Sequence, residues 1–372
     1  MIRLKSLRAQ VYRHPLEEPV VVSFGRMFER VMVLVRAEDM QGAVGWGEIW
    51  CNFPSAGAEH RSRLVESVLA PLAMERSFDD PSQAYKWLTE RTSVLALQSG
   101  EHGPLAQAIA GIDIALWDLA AREVGMPLWL FLGGRSPAVP VYASGLNPDR
   151  PEVLAATRRR QGYTAFKVKI GFGESRDLSN LSALRSVLGR DCCLMADVNQ
   201  GWTFEQAAQM VPKIKEFGLD WLEEPLRVDR PWSEWIALSA DSPPLAAGEN
   251  LIGEDAFNAA ADSGAVRILQ PDVAKWGGFS GCLPVARGVL ARGLRYCPHY
   301  LGGGIGLLAS AHLLAAAGGD GLLEVDANPN PLRELIWGSI GEVNGGRIVL
   351  DSSPGLGREP DIVALARFSS NR

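Results

Sequence analysis

The segment "LDWLEEPL", residues 219–226, is an apolar run that ends on two adjacent carboxylates, Glu223 and Glu224, with Pro225 placed to stop it. On a β-strand neighbouring side chains point to opposite faces. One of the pair should therefore face whatever the strand lines, and the other should face away. A solvated strand end would account for a single case, but this one recurs. From about residue 140 the chain falls into short apolar runs: "VPVYASG" (139–145), "AFKVKIG" (165–171), "CLMADVN" (193–199), "LDWLEEP" (219–225), "PPLAAGEN" (243–250), "VRILQPD" (266–272), "LRYCPH" (294–299) and "GLLEVD" (321–326). Amphipathic stretches such as "TFEQAAQMVPKIKEFG" and "GCLPVARGVLARG" lie between them, with glycine near their ends as helix stops. Strand, helix, strand at this spacing builds a parallel sheet. Eight such strands predict a closed barrel.

The polar residue at each run's end keeps nearly one period. From Lys169 through Asp197, Glu223, Glu249, Asp272 and His299 to Glu324 the steps are 28, 26, 26, 23, 27 and 25 residues. Each step is one βα unit, so successive strands deliver one ionisable group each to the same end of the sheet. In a barrel that C-terminal end is where active sites sit. A doubly wound open sheet would spread the same residues along a line.

The remainder of the chain sets the frame. At 372 residues it can bury a large core and more than one unit. Before residue 135, "VMVLVRAEDMQGAVGWGEIW" reads as a β-hairpin or meander, and "LAQAIAGIDIALWDLAAREVGMPLWLFLGG" as helix. The expected division is an N-terminal α+β capping unit over 1–134, a barrel over 135–325, and a tail over 326–372 that packs back on the cap. A net charge of −6 and the lack of a Lys/Arg stripe argue against nucleic acid. The "RRR" at 158–160 reads as a solvated helix face. No continuous apolar run reaches the ~18 residues a membrane span needs, and "MIRLKSLRAQVYRHPL" lacks the apolar core of a signal peptide. The five cysteines form no CxxC pair, which predicts reduced, structural thiols and a cytoplasmic protein. Cys297, beside His299, is the one thiol placed to be a nucleophile, but no third partner is evident. The expected partner is a small carboxylate, with no nucleic acid, no membrane and a homo-oligomeric assembly.

Asp197, Glu223 and Glu249 end three successive runs. Three converging carboxylates repel and raise one another's pKa unless a cation sits among them. Hard oxygen donors in that number suit Mg²⁺, with Mn²⁺ as a substitute. Lys167 and Lys169 share one face of a strand, and two ammonium groups beside a divalent cation should each lose a proton more easily, as a general base requires. Asp272 and His299 end adjacent strands, where a carboxylate can fix the imidazole tautomer. His312, in "LASAHLLAAA", reads as a helix residue. Glu324, kept protonated by burial, would donate a hydrogen bond to a substrate carboxylate. Two bases about a carboxylate-binding cation predict removal of a proton α to a carboxylate, with the enediolate held by the metal.

The motifs "KVK", "DVN", "EEP", "GEN", "QPD" and "PH", in this order, resemble the mandelate racemase subgroup of the enolase superfamily. The likeness covers nearly the whole chain, including "IAGIDIALWDLAAREVGMPLWLFLGG" (109–134) and "PGLG" (354–357). The resemblance implies a modified TIM-type (β/α)7β barrel of the α/β class, with an α+β cap completed by the C-terminal tail. It implies Asp197, Glu223 and Glu249 as metal ligands, Lys169 as a base tuned by Lys167, the Asp272–His299 dyad opposite, and Glu324 as the partner of the substrate carboxylate. Asn199 and Asn250 resemble neighbours of the substrate. Lys275 in "KWGG" matches a lysine that some relatives use as the opposing base; they lack the strand-seven histidine, so here it ranks as structural or auxiliary. "FKVKIGFGESRDL", "RILQPDVAKWGGFSG" and "EVDANPNPLRE" are most similar to acid-sugar branches, galactarolactone cycloisomerases above all. The implied reaction is β-elimination by an acid-sugar dehydratase or lactone cycloisomerase; racemisation or epimerisation of an α-hydroxy or amino acid is the alternative. Arg26, Asn52 and His60 are candidates for the distal end of the substrate.

Overall fold

The computed structural model describes residues 1–22 and 25–369. Three antiparallel strands open it: β1 (Leu4–Val22), β2 (Gly25–Asp39) and β3 (Val44–Ile49), in the order β1-β2-β3. Val11 pairs with Val33 and Val35 with Gly47 in register. Helices Gly57–Leu64, Pro81–Ser99 and His102–Val124 pack on this sheet and share with it a core of Val33, Val35, Ile49, Leu69, Leu88, Ile112 and Leu116. The long helix His102–Val124 is, among the described residues, the one helix long and apolar enough to cross a membrane, and 78% of its apolar window is buried inside the protein. Its closest neighbour is backbone: a Cβ on Gly47 would lie 2.0 Å from the Gly111 carbonyl oxygen.

Eight parallel strands follow, each leading into a helix. They are β4 (Ala138–Leu146), β5 (Ala165–Lys169), β6 (Cys193–Asp197), β7 (Leu222–Glu223), β8 (Leu245–Ala247), β9 (Val266–Leu269), β10 (Arg295–Tyr296) and β11 (Leu323–Asp326). The hydrogen-bonded order is β10-β9-β8-β7-β6-β5-β4-β11, which is chain order with β11 returned beside β4. The sheet is curled and parallel, with helices outside it. The interior holds Tyr142, Ala165, Met195, Trp221, Ala246, Ile268 and Cys297 as one packed layer. One departure from the expected closure concerns β10 and β11, which share no ladder among the described residues. They meet side by side instead: a Cβ on Gly321 would lie 1.9 Å from the Tyr296 carbonyl, and the Leu322 N–H reaches Cys297 Sγ at 3.4 Å.

The tail touches both units. A short strand, β12 (Arg347–Val349), pairs antiparallel with the start of β4. The Leu356 N–H donates to Asp118 of the long cap helix at 2.6 Å, and Ser369 bridges to Tyr12 of β1. Cys297 lies wholly buried beneath the site, and burial pushes its thiol up to about 11, which removes it as a nucleophile at neutral pH. Of the "RRR" run, Arg159 and Arg160 are exposed, as a solvated helix face requires, while the half-buried Arg158 donates to the Ala327 carbonyl.

His312, in helix Gly304–Ala317, accepts the Trp129 N–H at 3.0 Å through Nδ1, and burial pulls its pKa down to about 4 from 6.5. Below pH 6.5 the unfolded chain takes up a proton here that the folded chain refuses until about pH 4. Stability is thus fully present above pH 6.5 and drains away as pH falls. Between pH 7 and pH 4 the wild type should lose about 3 kcal/mol more than His312→Gln in urea denaturation, at 1.36 kcal/mol per unit. Gly47→Ala should cost at least ~1–3 kcal/mol in the same assay, because the added methyl meets helix backbone that cannot rotate away.

Candidate active site

The ends of β5 to β11 converge on one polar floor. Lys167, Asp197, Glu223, Glu224, Asp272 and Glu324 are each 2% exposed or less, and the Glu249 side chain is 11% exposed. Six of these seven groups are carboxylates, set against Lys167, Lys169 and His299. Burying that many like charges is costly unless each is paired, and the pairing is dense. Lys167 Nζ donates to both oxygens of Glu223 at 2.8 and 2.7 Å, and lies 2.8 Å from Glu324 Oε1 and 5.4 Å from the Tyr142 ring centroid. Lys169 Nζ is 2.5 Å from Asp197 Oδ2. His299 Nδ1 lies 2.8 Å from Asp272 Oδ2, and its Nε2 lies 2.6 Å from Glu249 Oε2. The Asp272 Oδ1 is engaged by the N–H groups of Ala274 and Lys275, which leaves Oδ2 for the ring.

Two expectations are corrected here, those for Glu324 and Glu224. The expectation for the two lysines is set beside a divalent cation; the protein's own charges alone act the other way. Burial opposes their charge, but Glu223 and Glu324 about Lys167, and Asp197 about Lys169, outweigh burial and raise both. Glu324 is not kept neutral by burial: the Lys167 ammonium and His299 bring it down to about 2. It accepts from Lys167, from the Ser144 hydroxyl and from the Tyr300 N–H, and so stands as an acceptor rather than a donor. Glu224 does not face away from its neighbour. The strand ends at Glu223, and Glu224 takes a left-handed turn at φ 37°, so strict alternation no longer applies. Its carboxylate turns toward Glu249, and Asn250 Nδ2 bridges Glu224 Oε2 at 2.7 Å and Glu249 Oε1 at 2.9 Å. Glu224 Oε1 is buried with no hydrogen-bond partner.

The electrostatic cost is visible group by group. Burial, then Asp197, raises Glu223 to about 7, and burial with Glu249 raises Glu224 well above the ordinary carboxylate range. Burial also pushes Glu249 up, but the His299 charge pulls it below the carboxylate range. His299 is correspondingly raised despite its burial, by Glu249 first.

The remaining candidates separate. Asn199 and Asn250, expected at the substrate, are turned onto carboxylates. Asn199 sits at φ 47°, which folds its N–H onto Asp197 Oδ1 at 2.7 Å and its amide onto Oδ2 at 3.1 Å. Arg26 and Asn52 line one cavity of about 400 Å³ with Phe28, Glu29 and Phe53. Asn52 Nδ2 also donates to the Leu301 carbonyl, two residues past His299, which sets that cavity beside the seventh strand end. His60 is brought elsewhere. Helix Gly57–Leu64 places its ring 2.9 Å from Glu101, ahead of the long cap helix.

Several groups were not singled out by sequence. Gln270 donates to Glu223 Oε2 at 2.7 Å, and the Trp221 Nε1–H reaches the same oxygen at 3.2 Å. Both stand two residues from a quoted acid, in "QPD" and "WLE", a nearness in sequence that could have marked them. Glu48 of β3 carried no comparable signal. It crosses from the cap to accept the Tyr300 hydroxyl at 2.6 Å and the N–H groups of Gly303 and Gly306 at 2.5 and 2.9 Å.

Comparison with known proteins agrees with this arrangement. Residues 6–133 match the family described as "Mandelate racemase / muconate lactonizing enzyme, N-terminal domain", and residues 151–364 match "Enolase C-terminal domain-like". The D-galactarolactone cycloisomerase of Agrobacterium fabrum is 34% identical over 99% of both chains. A crystal structure described as a mandelate racemase/muconate lactonizing enzyme from Bordetella bronchiseptica RB50 is 56% identical, with a TM-score of 0.94 over 98% of this chain and 99% of that one. A mutant L-talarate/galactarate dehydratase, liganded with Mg and L-glucarate, is 25% identical with a TM-score of 0.87 over 99% of this chain and 92% of that one.

Lys167→Met would strand Glu223 and Glu324 in the interior without their shared cation. Unfolding in urea at pH 7.5 should show a loss of about 3–5 kcal/mol, and part of it should return at pH 5.5, where the stranded carboxyls can take up protons.

Proposed function

The chain belongs to the mandelate racemase/muconate lactonizing enzyme family of the enolase superfamily, a family of enzymes, and from that membership we propose that it acts on an acid sugar or its lactone. The proposed reaction removes the proton α to the carboxylate and then expels a β-oxygen. The observation that carries this reading is the placing of Lys169 on the second barrel strand and the Asp272–His299 pair on the sixth and seventh, with the buried carboxylates of the third to fifth between them.

The donor set fits a hard divalent cation. It is all oxygen, it carries more negative than positive charge, and Glu224 Oε1 is buried and unpartnered. Among the described residues no three such side chains are already gathered as a finished ligand set, because Lys167, His299 and Gln270 occupy their oxygens. Asp197, Glu223 and Glu249 are the residues that would hold Mg²⁺, or Mn²⁺ in its place, with Glu224 alongside. When bound, the metal would supply a Lewis acid for the carboxylate and enediolate oxygens of the substrate.

The protein's own groups move the proton. Lys169 becomes a base when the charge of Asp197 is engaged elsewhere, because Lys167 then opposes its protonation. His299, held in one tautomer by Asp272, is the second acid/base. One of the two takes the α-proton, and the C–H electron pair passes into the enediolate. Its collapse breaks the β C–O bond: a β-hydroxyl departs as water with a proton from the opposite group, whereas the ring oxygen of a lactone departs as the freed carboxylate, and the enol product becomes a 2-keto acid. Return of a proton to the opposite face, with no C–O cleavage, would instead be racemisation, and two acid/base groups on different strands serve that reaction as well.

Proton spectra in D₂O with Mg²⁺, over a panel of aldonates, aldarates and their lactones, decide between these. Loss of the α-proton with a new keto-acid or ring-opened product is expected. Exchange without a new carbon skeleton would establish racemisation, and no exchange on any acid would overturn both. Lys169→Ala should reduce turnover by about 10²–10⁴-fold while Mg²⁺ uptake persists; activity near the wild-type level would reject Lys169 as the base.

A further inference from the structure

Lys275 lies outside the proton-transfer scheme, yet it joins the cap to the carboxylates. Its Nζ donates to Asn250 Oδ1 at 2.7 Å and stands 4.6 Å from the centroid of the Trp50 ring. Trp50 belongs to the cap. Its N–H donates to the Ala274 carbonyl at 3.1 Å, and the guanidinium of Arg61 lies 5.7 Å from the same ring. Arg61 is buried and fixed by Gln107 and the Gly57 carbonyl, so the ring is a rigid platform rather than a loose side chain. Lysine offers donors only, and ionised carboxylates accept only. With its Oδ1 pinned by Lys275, the Asn250 amide has one orientation left, with Nδ2 between Glu224 and Glu249. Released from Lys275, the amide can rotate, and two carboxylates now held together by one –NH₂ would separate.

We propose that Lys275 is a positioning residue: seated on Trp50, it fixes the Asn250 amide, and through it the docking of the cap sets the spacing of Glu224 and Glu249. The inference rests on the reading of those carboxylates as part of a cation site. It makes a prediction opposite in sign to simple electrostatics. A lysine that mattered only as a nearby positive charge would compete with a divalent cation, and its loss would tighten binding. Loss of a positioning lysine loosens it.

Calorimetric titration of the full-length protein with MgCl₂, in the absence of substrate, separates the two. Lys275→Met should weaken Mg²⁺ binding by about 10–100-fold, the usual effect of removing a group that orients a ligand. Trp50→Leu, which touches no carboxylate, should weaken it in the same direction. The double variant should be no weaker than Lys275→Met alone, because both act through one chain of contacts. Circular dichroism and thermal melting confirm that each variant is folded. Unchanged or tighter binding by folded Lys275→Met or Trp50→Leu overturns the inference. Wild-type protein that takes up no Mg²⁺ would overturn the cation reading itself, and this inference with it.

Discussion

Six carboxylates held out of water in one small volume are the constraint around which the barrel mouth is arranged. Left alone they would drive the strand ends apart or take up protons, and Glu223, raised to about 7 by burial and Asp197, is already partway there. Two lysines and a histidine offset part of that repulsion. Lys167 carries the largest share, shielded from solvent and placed over the face of Tyr142 between Glu223 and Glu324. No arrangement of surface charges would need such support. A protein that maintains this one does so because the uncompensated remainder is useful, and its natural complement is a small, highly charged cation with an anionic molecule bound against it.

Much of this was legible in the chain. The strands were readable because each apolar run is bounded by a change of period, and the ring was readable because one ionisable group recurs per βα unit. That spacing is a property of the fold, so it survives in sequence. The local failures have a common cause. Glu224 and Asn199 sit where the chain has just left the strand and turns left-handed, and the alternation that predicts side-chain direction stops at the strand's last residue. The charge of Glu324 escaped for a different reason: burial alone would keep it neutral, and it owes its ionised state to Lys167 and His299 on other strands. Glu48, His60 and the seam between β10 and β11 depend on contacts between elements far apart in the chain, which no local pattern records.

The cap is more than a lid. β3 is pressed against the long helix through Gly47 and Gly111, backbone against backbone, and the next residue of the same strand is Glu48, which accepts N–H groups of Gly303 and Gly306 at the start of helix Gly304–Ala317. A carboxylate at that helix start satisfies exposed N–H groups and complements the helix dipole. The tail adds a second tie through Leu356 and Asp118. Cap and barrel are thus joined by buried polar contacts that tolerate little sliding, and the residues nearest the mouth, Trp50 and Asn52, follow directly from that rigid strand.

The missing ladder between β10 and β11 divides the site mechanically. β5 to β9 are tied to one another by continuous hydrogen bonds, so Lys169, Asp197, Glu223 and Glu249 ride on, or directly after, a stiff arc. His299 follows β10, whose outer edge carries no ladder, and Glu324 sits across that gap on β11. Across this join the ties are made by side chains instead of a ladder: the Tyr300 N–H donates to Glu324, Arg295 to the Asp320 carbonyl, and the Leu322 N–H reaches Cys297 Sγ. The carboxylates after β6 to β8 are thus placed by backbone ladders, whereas His299 and Glu324 face each other across a join made by side chains, with His299 aligned by Asp272 and Glu249.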